Sequence, residues 1–414
     1  MTGAALRKAP GGQRTVGPQE TLRRVAPLHA RLGITRVADI TGLDTVGIPV
    51  ATAVRPNARS LAVSQGKGPD RAAARASAVM EALETWHAEH VDRPVRLARF
   101  ADWPDGAAVD PARLPAAPGS PYRPDLPLPW IAGTDLRGGA PVWVPFDVVH
   151  TDWTLPPGWA DGCFPADSNG LASGNHPVEA TTHGLCELVE RDAAALWAQR
   201  DPAAAAACRI DPGTVPDPVV QELLARFHEA GVAVGLWDLT CDTRVPVVLC
   251  HAVERVPSPF RPLPAAGGLG CHPDPRTAVV RALTEAAQSR LISIAGARDD
   301  LVHGEYRRAL DADASAAVRQ AVCDPPAPPR PWRGTAAVAA GFATDRLDTD
   351  HQLLLDRLAG AGCGRAAAVD LTHPDIGVPV VRVVVEGLEG AGAIYGGGSR
   401  PGPRALASGK GAGA

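Results

Sequence analysis

The chain has 414 residues, of which 45% are hydrophobic and only 4% aromatic, so Ala, Val and Leu must fill a large core. Its net charge of −4 and pI near 6.3 give no electrostatic footprint for nucleic acid. No run of eighteen apolar residues is present, which argues against a membrane-spanning helix.

Residues 1–20 are polar, with Gly, Pro, Lys and Arg and no signal-peptide apolar stretch; they read as a disordered leader of a cytoplasmic protein. A short helix is predicted over 20–32. Strands follow at Val46–Val54 and Leu61–Ser64, both β-branched and broken by Pro and Gly. A strongly periodic helix covers 70–92. Residues 102–129 hold many prolines and read as an irregular excursion, and short strands come next near Trp130–Gly133 and Val142–Phe146. Helices are predicted over 176–200, 217–230, 274–296 and 349–360. Strands are predicted at Val232–Leu239, Val247–Val253, 365–371 and 378–385. From Gly390 onward Gly, Ser, Ala and Pro dominate, as in a flexible tail. Strands mixed with long helices indicate an α+β fold with mixed or antiparallel sheets. Length alone would suggest two or three domains, but the candidate site residues run from about Ser64 to Arg298, which favours one interwoven domain over 21–390.

Three of these helices share a pattern. Ser77, Glu81 and Glu84 share a helix face, as do Glu187 and Glu190, and as do Arg281, Glu285 and Gln288. Glu81 and Glu285 sit in apolar neighbourhoods, where a carboxylate is expensive unless paired or metal-bound. Gathered together, five carboxylates would repel and could not all stay ionised. Divalent cations resolve this, and an oxygen-only ligand set suits Mg2+, which commonly also holds nucleotide phosphates. Arg191, Arg281 and Arg290 would be either structural partners or phosphate clamps.

Two loops precede these helices. Ser64-Gln65-Gly66-Lys67-Gly68 could offer backbone N–H groups and an ammonium to phosphate, although it lacks the Walker A pattern; a plain strand-to-helix turn with an exposed lysine would look the same. Ser168 to Asn175 is rich in donors. Asn175, just before His176-Pro177, suits an N-cap, and the same residues could hold a ribose or phosphate oxygen. His183 lies one turn before Glu187 and His272 just before the third helix, with no partner at metal-ligand spacing. The eight cysteines form no CxxC, and none stands out as a sulfur donor.

With these residues in view, the chain resembles the YcaO family. The resemblance rests on Ser77-x-x-x-Glu81-x-x-Glu84, on Ser-Asn-Gly-Leu-Ala-Ser-Gly-Asn running into Glu187-x-x-Glu190-Arg191, and on Arg281-x-x-x-Glu285 with Gln288 and Arg290, and spans roughly residues 35–390. It implies ATP and Mg2+ as cofactors. It places ATP at Ser77, Ser173, Asn175, Arg191, Arg281, Gln288 and Arg290, to which the local Gly-Lys-Gly segment adds Lys67, and metal at Glu81, Glu84, Glu187, Glu190 and Glu285. Glu187, Glu285, Arg191 and Arg281 would be catalytic. It also implies O-phosphorylation of a peptide-bond carbonyl, followed by attack of a nucleophile. One departure is Thr85, where the family often has Arg.

Azoline-forming members commonly end in PxPxP, whereas here Pro401-Gly402-Pro403-Arg404-Ala405 is found. This, with Val380–Gly390 and Ser64–Gly68, is more similar to members that partner with TfuA and form backbone thioamides, although those often have Pro where Glu386 stands. The resemblance thus implies a precursor peptide or protein as substrate and a TfuA-like sulfur-delivery partner, and it is compatible with a homodimer. Azoline formation on Cys, Ser or Thr is the alternative. A non-catalytic peptide-binding subunit is a third reading, which the intact set of glutamates and arginines disfavours.

Overall fold

A computed structural model describes residues 5–155, 162–258, 260, 262–296, 311–390 and 401–410. Three sheets form the frame, and every strand ladder among the described residues is antiparallel. The first sheet joins β1 (Arg36–Asp39), β2 (Val50–Val54) and β3 (Val63–Lys67) in that order. The second, six-stranded sheet runs β4 (Val95–Arg99), β5 (Pro127–Asp135), β12 (Ala366–Asp370), β13 (Val380–Val385) and β7 (Leu171–Ser173), with β6 (Pro141–Pro145) also on β5. The third runs β11 (Ala266–Cys271), β10 (Val247–Glu254), β9 (Val232–Asp238) and β8 (Arg209–Ile210).

Helix α1 (Pro18–Val25) packs on α2 (Arg71–Glu89). Then come α3 (Pro177–Trp197), α4 (Pro202–Ala206), α5 (Pro218–Glu229) and α6 (Pro275–Ala295), with further helices at Ala312–Cys323, Ala336–Ala340, Leu347–Gly360 and Pro403–Lys410. The three motif helices each follow a strand after a three-residue connection: β3 into α2, β7 into α3, and β11 into α6. Asp70, His176 and Asp274 cap them, each accepting a hydrogen bond from a first-turn backbone N–H. The cap of α3 is therefore His176, one residue beyond the expected Asn175.

Small residues let helix and strand approach. A Cβ on Gly66 would lie 2.0 Å from Ala78 N and 2.1 Å from Ala74 O, and one on Gly270 would lie 2.0 Å from Ala278 O. The glycines of Gly66-Lys67-Gly68 are thus packing residues, and Gly66 and Lys67 belong to β3 rather than to a turn. β11, with its Ala-Gly-Gly-Leu-Gly-Cys sequence, escaped the propensity reading for the same reason: glycine disfavours strands intrinsically but here seats a helix.

Both chain ends depart from the expected leader and tail. Lys8 pairs with Asp350 at 2.7 Å, and Arg14 with Glu179 at 3.0 Å. In the helix Pro403–Lys410, Arg404 binds Asp192 at 3.0 Å and Asp242 at 2.7 Å. Residues 1–4, 391–400 and 411–414 lie outside the described residues. Glu386 accepts hydrogen bonds from the backbone N–H of Asp110 at 2.9 Å and Arg365 at 3.2 Å, which ties the proline-rich excursion to β13. No helix among the described residues is long and apolar enough to cross a membrane.

Candidate active site

The inner faces of α2, α3 and α6 border one cavity of about 1290 Å³. All candidate residues except one line it: Lys67, Ser77, Glu81, Glu84, Ser173, Asn175, Glu187, Glu190, Arg191, Arg281, Glu285 and Gln288. The exception is Arg290. Its side chain, 1% exposed, turns away and pairs with Asp44 at 2.7 Å and Glu254 at 3.1 Å. Two residues beyond Gln288, Arg290 lies on nearly the opposite side of α6, in the core, so the ATP-binding assignment of Arg290 is corrected to a structural one.

Each carboxylate has its own setting. The Ser173 backbone N–H and hydroxyl both donate to Glu84 Oε1 at 2.7 Å. Gly170 N–H donates to Glu187 at 3.3 Å, while Arg191 lies 3.8 Å from both Glu187 and Glu190. Lys67 pairs with Glu285, which also accepts from Leu269 N–H at 3.3 Å. The five carboxylates therefore line one cavity, as expected. Among the described residues no three His, Cys, Asp or Glu side chains already converge as a metal cage.

Electrostatics shows what the cavity lacks. Burial pushes the Glu84 carboxyl up to about 8, with the charges of Glu81 and Glu187 adding to it and the Ser173 bonds opposing it. Burial also raises Glu187 and Glu190, against the pull of Arg191. Glu285 is buried too, yet Lys67 and Arg191 carry its carboxyl below the ordinary value. Glu190 Oε2 is buried with no hydrogen-bond partner. An excess of buried oxygen acceptors with one left unsatisfied is a donor set that fits Mg2+. Glu81, Glu84, Glu187, Glu190 and Glu285 could hold it.

Several residues of the site had not been singled out in the sequence. Glu179 continues the α3 face of His183, Glu187 and Glu190, so its spacing was a usable signal. It accepts from Arg14 at 3.0 Å and from the Thr15 and Asn175 N–H groups at 3.0 and 3.2 Å. Arg14 and Trp153 also line the cavity, but single residues in loops carry no periodic signal; Gln65 and Asn169, from the two segments singled out in the sequence, border it as well. His183 and His272 both border it. Burial drives both rings well below their ordinary value, with the Arg281 charge adding to it, and Arg281 Nη1 lies 3.4 Å from His183 Nδ1. At Thr85, Arg55 donates to the hydroxyl at 2.9 Å but is committed to a buried pair with Glu89.

A three-sheet α+β frame with a carboxylate- and arginine-lined cavity between three strand-to-helix units defines a phosphate- and cation-handling enzyme site. Residues 65–389 match the family model described as YcaO cyclodehydratase, ATP- and Mg2+-binding. A protein of Rhizobium leguminosarum bv. trifolii, named for its place in the tfuA 3' region, is 40% identical over 389 residues, covering 91% of this chain and 88% of its own. An uncharacterized protein of Methanothermobacter thermautotrophicus is 40% identical over 382 residues, covering 90% of this chain and 94% of its own. Among solved structures, YcaO from Methanopyrus kandleri bound with AMPPCP and Mg2+ superposes with a TM-score of 0.70 at 27% identity, over 94% of this chain and 95% of that one. A heterocyclase in complex with substrate and cofactor shares the fold with a TM-score of 0.78 at 22% identity; the match covers 94% of this chain and 54% of that one. The chain belongs to the YcaO family and is an ATP- and Mg2+-dependent enzyme of that type.

Proposed function

We propose that the protein activates a backbone amide of a peptide or protein by ATP-dependent O-phosphorylation, and that sulfide then replaces the oxygen to give a thioamide. The observation that carries the choice of thioamide is the relative named for the tfuA 3' region, 40% identical along 91% of this chain. It supports a TfuA-like protein as the sulfur-delivering partner.

In this reading Arg191 and Arg281 neutralise charge on the phosphates, and Lys67 contributes a third positive group while holding Glu285 ionised. Ser77, Ser173, Asn175 and Gln288 position the nucleotide. Glu81, Glu84, Glu187, Glu190 and Glu285 hold Mg2+, which supplies Lewis-acid stabilisation of the transferring phosphoryl group. The substrate's amide oxygen bonds to the γ-phosphorus as the bond to the β-phosphate oxygen breaks. Hydrosulfide then adds to the carbonyl carbon, and inorganic phosphate leaves with the original oxygen. An amide oxygen is a poor leaving group; as phosphate it is a good one.

A second reading, cyclodehydration of a Cys, Ser or Thr to an azoline, draws support from the cyclodehydratase description of the matching family model. It uses the same activation with an internal nucleophile. Mass spectrometry separates the two after incubation with a precursor peptide, ATP, Mg2+, sulfide and the TfuA-like partner. Exchange of oxygen for sulfur supports the thioamide, and loss of one water supports the azoline. ATP turnover that depends on Glu187 and Glu285 but leaves the peptide unchanged would count against both.

A further inference from the structure

The cavity is larger than one nucleotide requires. At about 1290 Å³ it exceeds the range of about 300–1,000 Å³ in which small-molecule sites fall. It extends along β3 and α2, which run antiparallel. Gly66 packs on Ala78 in the first half of α2, while the backbone N–H of Ser60, just before β3, donates to Glu89 at the helix end at 3.0 Å. Strand alternation turns Gly66 toward α2 and puts Val63, Gln65 and Lys67 on the cavity side.

The lining changes along this axis. Around Lys67 it is charged, with Glu285 and Arg281. Toward the end of α2 it gains apolar groups, Leu61, Val63, Pro165 and Trp153, set beside Glu84, Asp167 and Asn169. Trp153 is 51% exposed, on an anchored stretch of backbone. Its backbone N–H donates to Arg59 O at 3.0 Å, and the adjoining Asp152 pairs with Arg59 at 2.9 Å and accepts from Thr154 N–H at 2.9 Å. An indole half in solvent at a cavity mouth is a contact surface for an apolar group. Gln65, 5% exposed and midway between the two zones, has its Oε1 buried with no partner. Such an acceptor costs stability unless a donor meets it, and a peptide N–H is a donor of the right kind.

We infer that this end of the cavity is the peptide subsite: a neutral backbone segment lies along β3, its N–H on Gln65, with an apolar side chain next to the target amide against Leu61, Val63 and Trp153. The inference rests on the peptide-amide reading above and adds to it the substrate class: among the described residues Arg59 is bound to Asp152 and Asp167 is paired with Arg382 at 3.3 Å, which leaves the Leu61, Val63 and Trp153 surface as the contact for the neighbour of the amide.

Binding of capped peptides to the full chain tests this, with Mg2+ and AMPPCP present and saturation-transfer NMR as the readout. The probes are Ac-Gly-Gly-X-Gly-Gly-amide with X as Leu, Trp, Glu or Lys. The Leu and Trp peptides should bind about tenfold more tightly than the Glu and Lys peptides. Trp153→Ala should weaken the Leu peptide about five- to tenfold, and Trp153→Phe should restore most of it. Gln65→Met should weaken all four peptides, with nucleotide affinity and thermal unfolding unchanged in the Trp153 variants. No binding by the wild type, equal binding of charged and apolar peptides, or binding indifferent to both Trp153→Ala and Gln65→Met would overturn the subsite. So would a Trp153→Ala protein that keeps its peptide affinity and loses that for a TfuA-like partner; the surface would then be the partner's. If the peptides bind as expected while no precursor gains sulfur or loses water, the subsite stands and the reaction reading falls.

Discussion

Glu84 ties Mg2+ binding to proton release. Its carboxyl is raised from 4.5 to about 8, chiefly by burial, with the Glu81 and Glu187 charges adding to it. The difference, 8 − 4.5 = 3.5 units, corresponds to about 5 kcal/mol in favour of the neutral form at about 1.36 kcal/mol per unit. Because the folded value lies above the unfolded one, the stability that the neutral group contributes is intact below 4.5 and is lost as pH rises through about 8 in Mg2+-free protein. Ligation of Mg2+ requires the carboxylate, so its affinity should climb by up to about tenfold per pH unit until about pH 8 and then level off. Near neutral pH such a group is about nine-tenths protonated, so binding should release about one proton from Glu84. Calorimetric Mg2+ titrations in buffers of different ionisation enthalpy measure this directly. Glu84→Gln should remove that proton and flatten the pH dependence. If Mg2+ binds without proton release, or releases as many protons in Glu84→Gln, then Glu84 is either ionised in the free protein or outside the Mg2+ site, and the reasoning fails.

Lys67→Ala should raise the KM for ATP at least tenfold, since a lost charge-assisted phosphate contact costs about 1.5–3 kcal/mol; steady-state kinetics with an unchanged KM would reduce Lys67 to a partner of Glu285. Glu81→Ala, Glu187→Ala and Glu285→Ala should each abolish ATP turnover while circular dichroism shows a folded protein. Arg290→Ala should instead destabilise the fold by about 3–5 kcal/mol in denaturant titrations, because it removes the ion-pair partner of the buried Asp44, and should leave the ATP KM of the folded fraction unchanged. Gly66→Ala should prevent α2 from seating and yield little soluble protein on expression, as its new Cβ would stand 2.0 Å from Ala78 N.

Helical periodicity was enough to place the acidic faces of α2, α3 and α6, because a spacing of three or four residues is a local property that survives any packing. It also revealed the α+β class, from long periodic helices between β-branched runs. The sequence could not show that these helices descend from three strand-to-helix units in different sheets, since that relation lies in contacts such as Gly66 with Ala78 and Gly270 with Ala278, which join distant backbones. Helical phase already sets Arg290 off the face of Arg281, Glu285 and Gln288, but only the packing of α6 decides that it meets Asp44 there. Composition made a leader and a tail of the two ends, but composition reports only how much apolar surface a segment can bury. Lys8, Arg14 and Arg404 are held instead by ion pairs to Asp350, Glu179 and Asp192, and carboxylates left buried by the rest of the fold are visible only once that fold is assembled.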